Sequence, residues 1–244
     1  MKILITGASS GLGMAFARAY AQRENELILL ARREDRLIEL QKELQDSCSV
    51  TIIVADVREF ETLQQHLVTI KSIDMVILNA GVSLGHSQDK NEIPTIVAFK
   101  NLYDVNVLAN HAILEVLIPV MRKQGYGKVV FLSSLASLFS MPSSKVYSSS
   151  KRALNAYAEG IAYKYAADGI KVVLLLPGFI RSELTDKNEF KMPFFLETEE
   201  GVRRMKNAID KGKRFYAFPR RFYFLIRVLN LLPSLLREKL VALF

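Results

Sequence analysis

The chain has 244 residues, 50% of them hydrophobic, with one cysteine, three histidines and a formal net charge of +8. That suffices for one well-cored domain and excludes an intramolecular disulfide framework. The histidines (His66, His86, His111) lack clustered cysteine or acidic partners, so no metal site is expected.

The first strand, expected over 2–6, starts at the N-terminus with no secretory signal region ahead of it, so a reducing, cytoplasmic location is expected. TGASSGLG, residues 6–13, follows and opens a helix over 11–23. Gly7, Gly11 and Gly13 there permit a tight turn, close approach of backbone to phosphate, and close helix–strand packing. Ser9, Ser10 and Leu12 complete the turn, and the helix N-terminus offers unpaired amides and a positive dipole end to a pyrophosphate.

A second strand over 26–31 runs into ARRED. An NAD-selecting site usually carries an acidic residue at this strand end. Arg32 and Arg33 stand here instead, and a guanidinium suits the 2′-phosphate of NADP. Glu34 and Asp35 come later and read as the acidic first turn of the next helix. NADP(H) is therefore favoured over NAD(H).

Further strands are expected over 50–55, 74–78, 128–132, 171–176 and 214–218, with helices near 34–46, 59–69, 95–124, 145–167 and 199–211. Gly169 and Gly212 fall where C-terminal caps belong. Strands that are apolar throughout, alternating with helices, imply an α/β fold: a doubly wound parallel sheet of about seven strands. The domain is expected over 1–218, with a helical tail over 219–244.

Tyr147 and Lys151 lie one turn apart on the 145–167 helix, so their side chains share a face. An ammonium beside a phenol favours phenolate and is expected to lower the phenol's pKa toward neutrality. Ser134 stands thirteen positions before Tyr147, at the end of a strand.

With TGASSGLG, Asp56-Val57, LNAG (78–81), Asn106, Ser134, Tyr147, Lys151 and PGFIRS (177–182) in this order, the chain resembles the short-chain dehydrogenase/reductase family over about 1–190. The resemblance implies Tyr147 as general acid–base, Lys151 on the nicotinamide ribose and favouring ionised Tyr147, and Ser134 on the substrate oxygen. It implies that Asn106, inside the 95–124 helix, holds a water linking Lys151 to solvent. Asp56 and Val57 would lie near the adenine, and Asn79, Ala80 and Gly81 would support the central strand and the adenine ribose. Pro177, Gly178, Ile180 and Ser182 would bind the cofactor, with the Ser182 hydroxyl near the carboxamide. Leu78 and Ser182 depart mildly from the family pattern. A homodimer or homotetramer is usual in such proteins. The competing reading is an NADP-binding regulatory or scaffold protein without turnover.

The segments expected to line a substrate pocket contain Leu84, Leu135, Leu138, Phe139, Met141, Phe179, Ile180, Phe190, Met192, Phe194 and Phe195. They favour a hydrophobic carbonyl or alcohol. Arg181 and Lys187 are read as solvated loop charges in preference to partners of an acidic group on a substrate. Residues 1–200 hold 22 Lys/Arg against 23 Asp/Glu, whereas 201–244 hold 11 against two, so the basicity is local and no nucleic-acid partner is expected. The tail, interrupted at Pro233 with Ser234 as a candidate cap, either packs its apolar face on the body or a second subunit, or lies in an anionic membrane interface.

Overall fold

The computed structural model describes residues 1–84, 93–186 and 192–241. Strands β1 (Lys2–Thr6), β2 (Glu26–Ala31), β3 (Ser49–Val54), β4 (Met75–Leu78), β5 (Gly127–Leu132), β6 (Ile170–Pro177) and β7 (Phe215–Phe218) form one parallel sheet. Its order is β3-β2-β1-β4-β5-β6-β7. Each strand matches the span read from the sequence to within one residue at either end. The helices are α1 (Gly11–Tyr20), α2 (Glu34–Leu44), α3 (Phe60–Leu67), α4 (Ile96–Tyr103), α5 (Ala109–Gln124), α6 (Lys145–Tyr165), α7 (Thr198–Asp210), α8 (Arg220–Leu231) and α9 (Ser234–Val241).

The two-residue pleat explains why the strands read as unbroken apolar runs. Ile3 and Ile5 face a core with Phe16, Tyr20, Leu37 and Met205, so α1, α2 and α7 cover that side. Leu4 faces Leu63, Ile113, Leu117 and Leu154, from α3, α5 and α6, on the other. With both faces covered, a central strand has no polar side. Edge strand β3 is the exception. Its residues are exposed or half-buried throughout, and Val54 is 38% exposed.

Two local expectations need correction. The single helix expected over 95–124 is broken by a π-helical turn, Asp104–Leu108, which separates α4 from α5. Asn110 Nδ2 donates to the Asn106 carbonyl oxygen at 2.8 Å within this widened turn. The run Ile96–Gln124 is long and apolar enough to cross a membrane by composition, yet most of its apolar stretch is buried inside the protein. In the tail, Ser234 is the first residue of α9 instead of its cap, and Pro233 precedes it. Gly169 (φ 76°) and Gly212 (φ 63°) do take the left-handed conformation expected of C-terminal caps.

The strand order places β1 between β2 and β4, so crossovers leave it toward opposite edges of the sheet. A crevice opens there at the carboxyl ends of the strands. The residues expected to hold the cofactor and to carry the catalysis, apart from Gly13 and Asn106, line it.

Candidate active site

The floor of the crevice is the turn between β1 and α1. Gly7 (φ 65°) and Gly11 (φ 50°) adopt left-handed conformations that a side chain resists. At Gly13 the constraint is space, because a Cβ would collide with the Gly7 carbonyl oxygen and with Asn79 Nδ2. Asn79 is itself pinned to β1, donating from Nδ2 to the Thr6 carbonyl at 2.8 Å. The Thr6 hydroxyl accepts from the Asn79 and Ala80 amides at 3.0 and 2.9 Å. Ser10 precedes α1 but makes no side-chain cap, so the first-turn amides are left for another acceptor.

Arginines gather at one end. Arg33 donates to Ser9 Oγ at 3.1 Å, to Ser10 Oγ at 2.6 Å and to both Glu183 carboxylate oxygens at 3.1 Å. Arg36 donates to the same carboxylate at 2.5 Å. The bond from Arg33 leads the effects that hold Glu183 down near a pKa of about 2. Nearby, Arg58 grips Asp56 through its Nε and a terminal nitrogen, the shortest bond being 2.7 Å, and Arg32 reaches it at 3.4 Å. Burial pushes the Asp56 carboxyl up, but the bonds from Arg58, aided by Arg32, outweigh it and leave a pKa of about 2.

At the other end are Ser134, Tyr147 and Lys151. Ser134 caps the 3-10 turn Leu135–Ser137, accepting from the Ala136 amide at 3.1 Å. It also lies close enough to Tyr147 to act on the phenol, favouring its ionised form. Lys151 is 4% exposed, donates to the Leu132 carbonyl at 3.0 Å, and sits 5.8 Å from the Tyr147 ring centroid. Burial pushes Tyr147 up to about 12 against the smaller effect of Ser134, and pulls Lys151 down to about 8. The expectation that the ammonium lowers the phenol is therefore corrected: burial is the larger effect on Tyr147 and moves it upward. Desolvation disfavours both charged forms and wins.

Asn106 lies in the π turn and is fully buried. Its carboxamide accepts from the Val82 amide at 2.9 Å, and donates to the Val82 carbonyl and to Ser150 Oγ at 3.0 Å each. Gly81 threads between Asn106 and Lys151: a Cβ there would lie 3.4 Å from Asn106 Oδ1 and 3.4 Å from Lys151 Nζ. The widened turn thus fixes the backbone that borders the lysine.

Both ends belong to one cleft of about 510 Å³. Gly7, Ser9, Ser10, Gly11, Leu12, Arg32, Arg33, Asp56, Val57, Asn79, Ala80 and Gly81 line it, as do Ser134, Tyr147, Lys151, Pro177, Gly178, Ile180 and Ser182. Gly13 and Asn106 stand behind the wall as packing and positioning groups. Sequence reasoning missed Arg58, Ser83, Asn101 and Glu183, which also line the cleft. Arg58 had a signal, two positions after Asp56. Glu183 had none, since its partners Arg33 and Arg36 lie 150 and 147 residues away.

Of the residues expected to line a substrate pocket, Leu135 and Ile180 are core, and Leu138 and Phe139 pack on the core beneath α8. Phe179 and Phe194 meet Phe222 of α8, and Phe195 lies under Arg181, which pairs with Glu197 at 2.6 Å. Phe190 and Lys187 lie outside the described residues.

A family model for short chain dehydrogenases matches residues 1–192. The chain belongs to the short-chain dehydrogenase/reductase family of oxidoreductases. Over 237 residues it is 31% identical to an oxidoreductase of Myxococcus xanthus, covering 95% of this chain and 92% of that one. A short-chain dehydrogenase from Sphingobium yanoikuyae, solved in complex with NADPH, superposes with a TM-score of 0.81 at 26% identity, covering 89% of this chain and 87% of that one. A family member from Burkholderia phymatum, solved with NAD, shares the fold with a TM-score of 0.81 at 23% identity, covering 93% and 91%. Short-chain dehydrogenases with either nucleotide thus have this architecture.

Proposed function

We propose that this oxidoreductase interconverts a hydrophobic carbonyl compound and its alcohol using NADP(H), with Tyr147 as the acid–base group. One observation carries the reading: Ser134, Tyr147 and Lys151 converge at one end of a cleft whose floor is a turn too tight for any side chain at Gly13. That cradle fits a dinucleotide. The amides at the start of α1 and the Ser9–Leu12 backbone suit its pyrophosphate, and Asp56, Val57 and Asn79 to Gly81 suit its adenosine half. Pro177, Gly178, Ile180 and Ser182 border the nicotinamide end. When bound, the nicotinamide supplies the hydride.

The chain's own part is proton transfer and charge placement. A phenol pushed up to about 12 stays protonated at neutral pH, so Tyr147 is ready to donate to a carbonyl oxygen. Ser134, beside Tyr147 in the wall of the cleft, is placed to stabilise negative charge on that oxygen. Lys151 would hold ribose hydroxyls and favour ionised Tyr147 once the proton has left. Asn106 positions the Gly81–Val82 backbone beside Lys151.

Arg33 supports NADP over NAD, because its guanidinium and the Ser9 and Ser10 hydroxyls already form a convergent set suited to a phosphate. Arg32 adds charge from the cleft wall. The aromatic set Phe179, Phe194 and Phe222 supports an apolar substrate. A homodimer or homotetramer is proposed on the family resemblance. The test is an NADPH-oxidation screen over hydrophobic ketones and aldehydes with Tyr147→Phe as blank, plus NADPH and NADH affinities of an Arg32/Arg33 double alanine variant. Equal turnover by Tyr147→Phe would sink the catalytic assignment. Unchanged cofactor discrimination in the double variant would sink the NADP assignment.

A further inference from the structure

Helix α8 has two apolar faces, and among the described residues only one of them is covered. On the inner face, Phe222 meets Phe179 and Phe194 with ring centroids 6.0 and 5.8 Å apart. Ile226 is 5% exposed in the cluster with Leu135, Leu176 and Ala217, and Asn230 Nδ2 donates to the Leu138 carbonyl at 2.8 Å. Phe222, Ile226 and Asn230 follow one another at the spacing of a helix turn, so this stripe seats α8 on the body. The expectation that the tail packs on the body holds for this stripe alone.

The other stripe faces outward. Phe224, Val228 and Leu231 are 64%, 56% and 84% exposed, and Leu235 and Leu236 of α9 continue the surface at 72% and 52%. Large apolar side chains gathered in this way mark an interaction surface. Residues 219–244 carry Arg220, Arg221, Arg227, Arg237 and Lys239 against one acidic residue, Glu238. Among the described residues, Arg220, Arg221 and Arg227 enter no ion pair with the body.

We propose that the outer face of α8 and α9 docks on an anionic lipid surface. Phe224, Val228, Leu231, Leu235 and Leu236 enter the interface while the arginines meet headgroup phosphates. Charge decides between occupants. A two-fold contact between copies through this face would bring the unpaired arginines of one α8 against the same arginines of the other, with no acidic residue on α8 to neutralise them. Anionic headgroups supply the missing charge. Docking does not depend on the reaction proposed above, but it has a consequence for it. A second cavity, of about 580 Å³, lies between this tail and the segment joining Ser134 to Tyr147, with Phe139, Pro142, Asn230 and Arg237 among its walls. Docking places that cavity next to the lipid surface.

The experiment is co-sedimentation of the full-length protein with phosphatidylcholine vesicles, with and without phosphatidylglycerol, across a salt series. Wild type should pellet with the anionic vesicles at low salt and be released as salt rises. Val228→Glu/Leu231→Glu, and separately Arg220→Gln/Arg221→Gln/Arg227→Gln, should each lower the vesicle-bound fraction at least about tenfold. Both variants change exposed side chains only, so their melting temperatures should match wild type. Two results would overturn the proposal: wild type that ignores anionic vesicles at low salt, or a Val228→Glu/Leu231→Glu variant that binds like wild type. A variant that loses self-association by analytical ultracentrifugation with vesicle binding intact would overturn it in favour of a second copy of this chain.

Discussion

Glu183 accepts a forked pair of hydrogen bonds from Arg33, 3.1 Å to each carboxylate oxygen, across the mouth of the cleft. Thr185 ties the turn that carries it: its hydroxyl accepts from the Ser182 amide and donates to the Ile180 carbonyl, both at 2.9 Å. A residue of the loop after β6 thus occupies the guanidinium that is proposed to select NADP.

A 2′-phosphate must compete with that carboxylate. Glu183→Gln should therefore bind 2′,5′-ADP more tightly, by roughly two- to fivefold given how exposed the pair is. Affinity for 5′-AMP should not change. Calorimetric titration of both ligands against wild type and variant checks this. Equal gains for the two ligands would show that the 2′-phosphate is not what Glu183 opposes.

Tyr147→Phe removes the proton donor and leaves the cleft wall almost unaltered. Turnover should fall by about 10²–10⁴-fold, the usual worth of a positioned acid–base group. NADPH affinity should stay near wild type, which separates lost chemistry from lost binding. A variant that still turned over would direct attention to another proton donor.

These assignments were legible in the sequence to different depths. The glycine turn, Asp56, Asn79, Ser134 and the Tyr147–Lys151 pair could be read because each motif sits at a strand end or on one helix face, where short-range spacing fixes geometry. The sheet was legible because its central strands are apolar on both faces. The π turn was not: Val105, Asn106 and Val107 sit in a stretch of helical pattern with no glycine or proline to mark the widening. Nor was the direction of the Tyr147 shift, which depends on how deep the pair lies. The two faces of α8 were hidden for a similar reason, since periodicity shows an apolar stripe without showing what covers it.

Glycines at two sites should respond in opposite ways. Gly13→Ala forces a Cβ into the Gly7 carbonyl and Asn79, so the turn must open, lowering the melting temperature and abolishing nucleotide binding. Gly160 lies within α6 with nothing within 4 Å of where its Cβ would be. There alanine should stabilise by about 0.5–1 kcal/mol, as it does in helix interiors. Differential scanning calorimetry of both variants gives the comparison, and a stabilised Gly13→Ala would contradict the cradle.

Lys151 should make the unliganded protein less stable than it would be without the charge. Burial lowers its pKa from 10.5 to about 8, so below about 8 both folded and unfolded chains carry the proton and the desolvation cost is fully present. Between about 8 and 10.5 the unfolded chain binds more protons than the folded one, so stability rises with pH through that window. Lys151→Met keeps the stem and removes the charge. At pH 7 it should raise stability by something on the order of 3 kcal/mol at most, and the gain should shrink toward pH 10. Urea unfolding of the two proteins across this range measures it. A gain independent of pH would mean that packing, and not the buried ammonium, separates them, whereas a loss at pH 7 would show the bond to the Leu132 carbonyl outweighing desolvation.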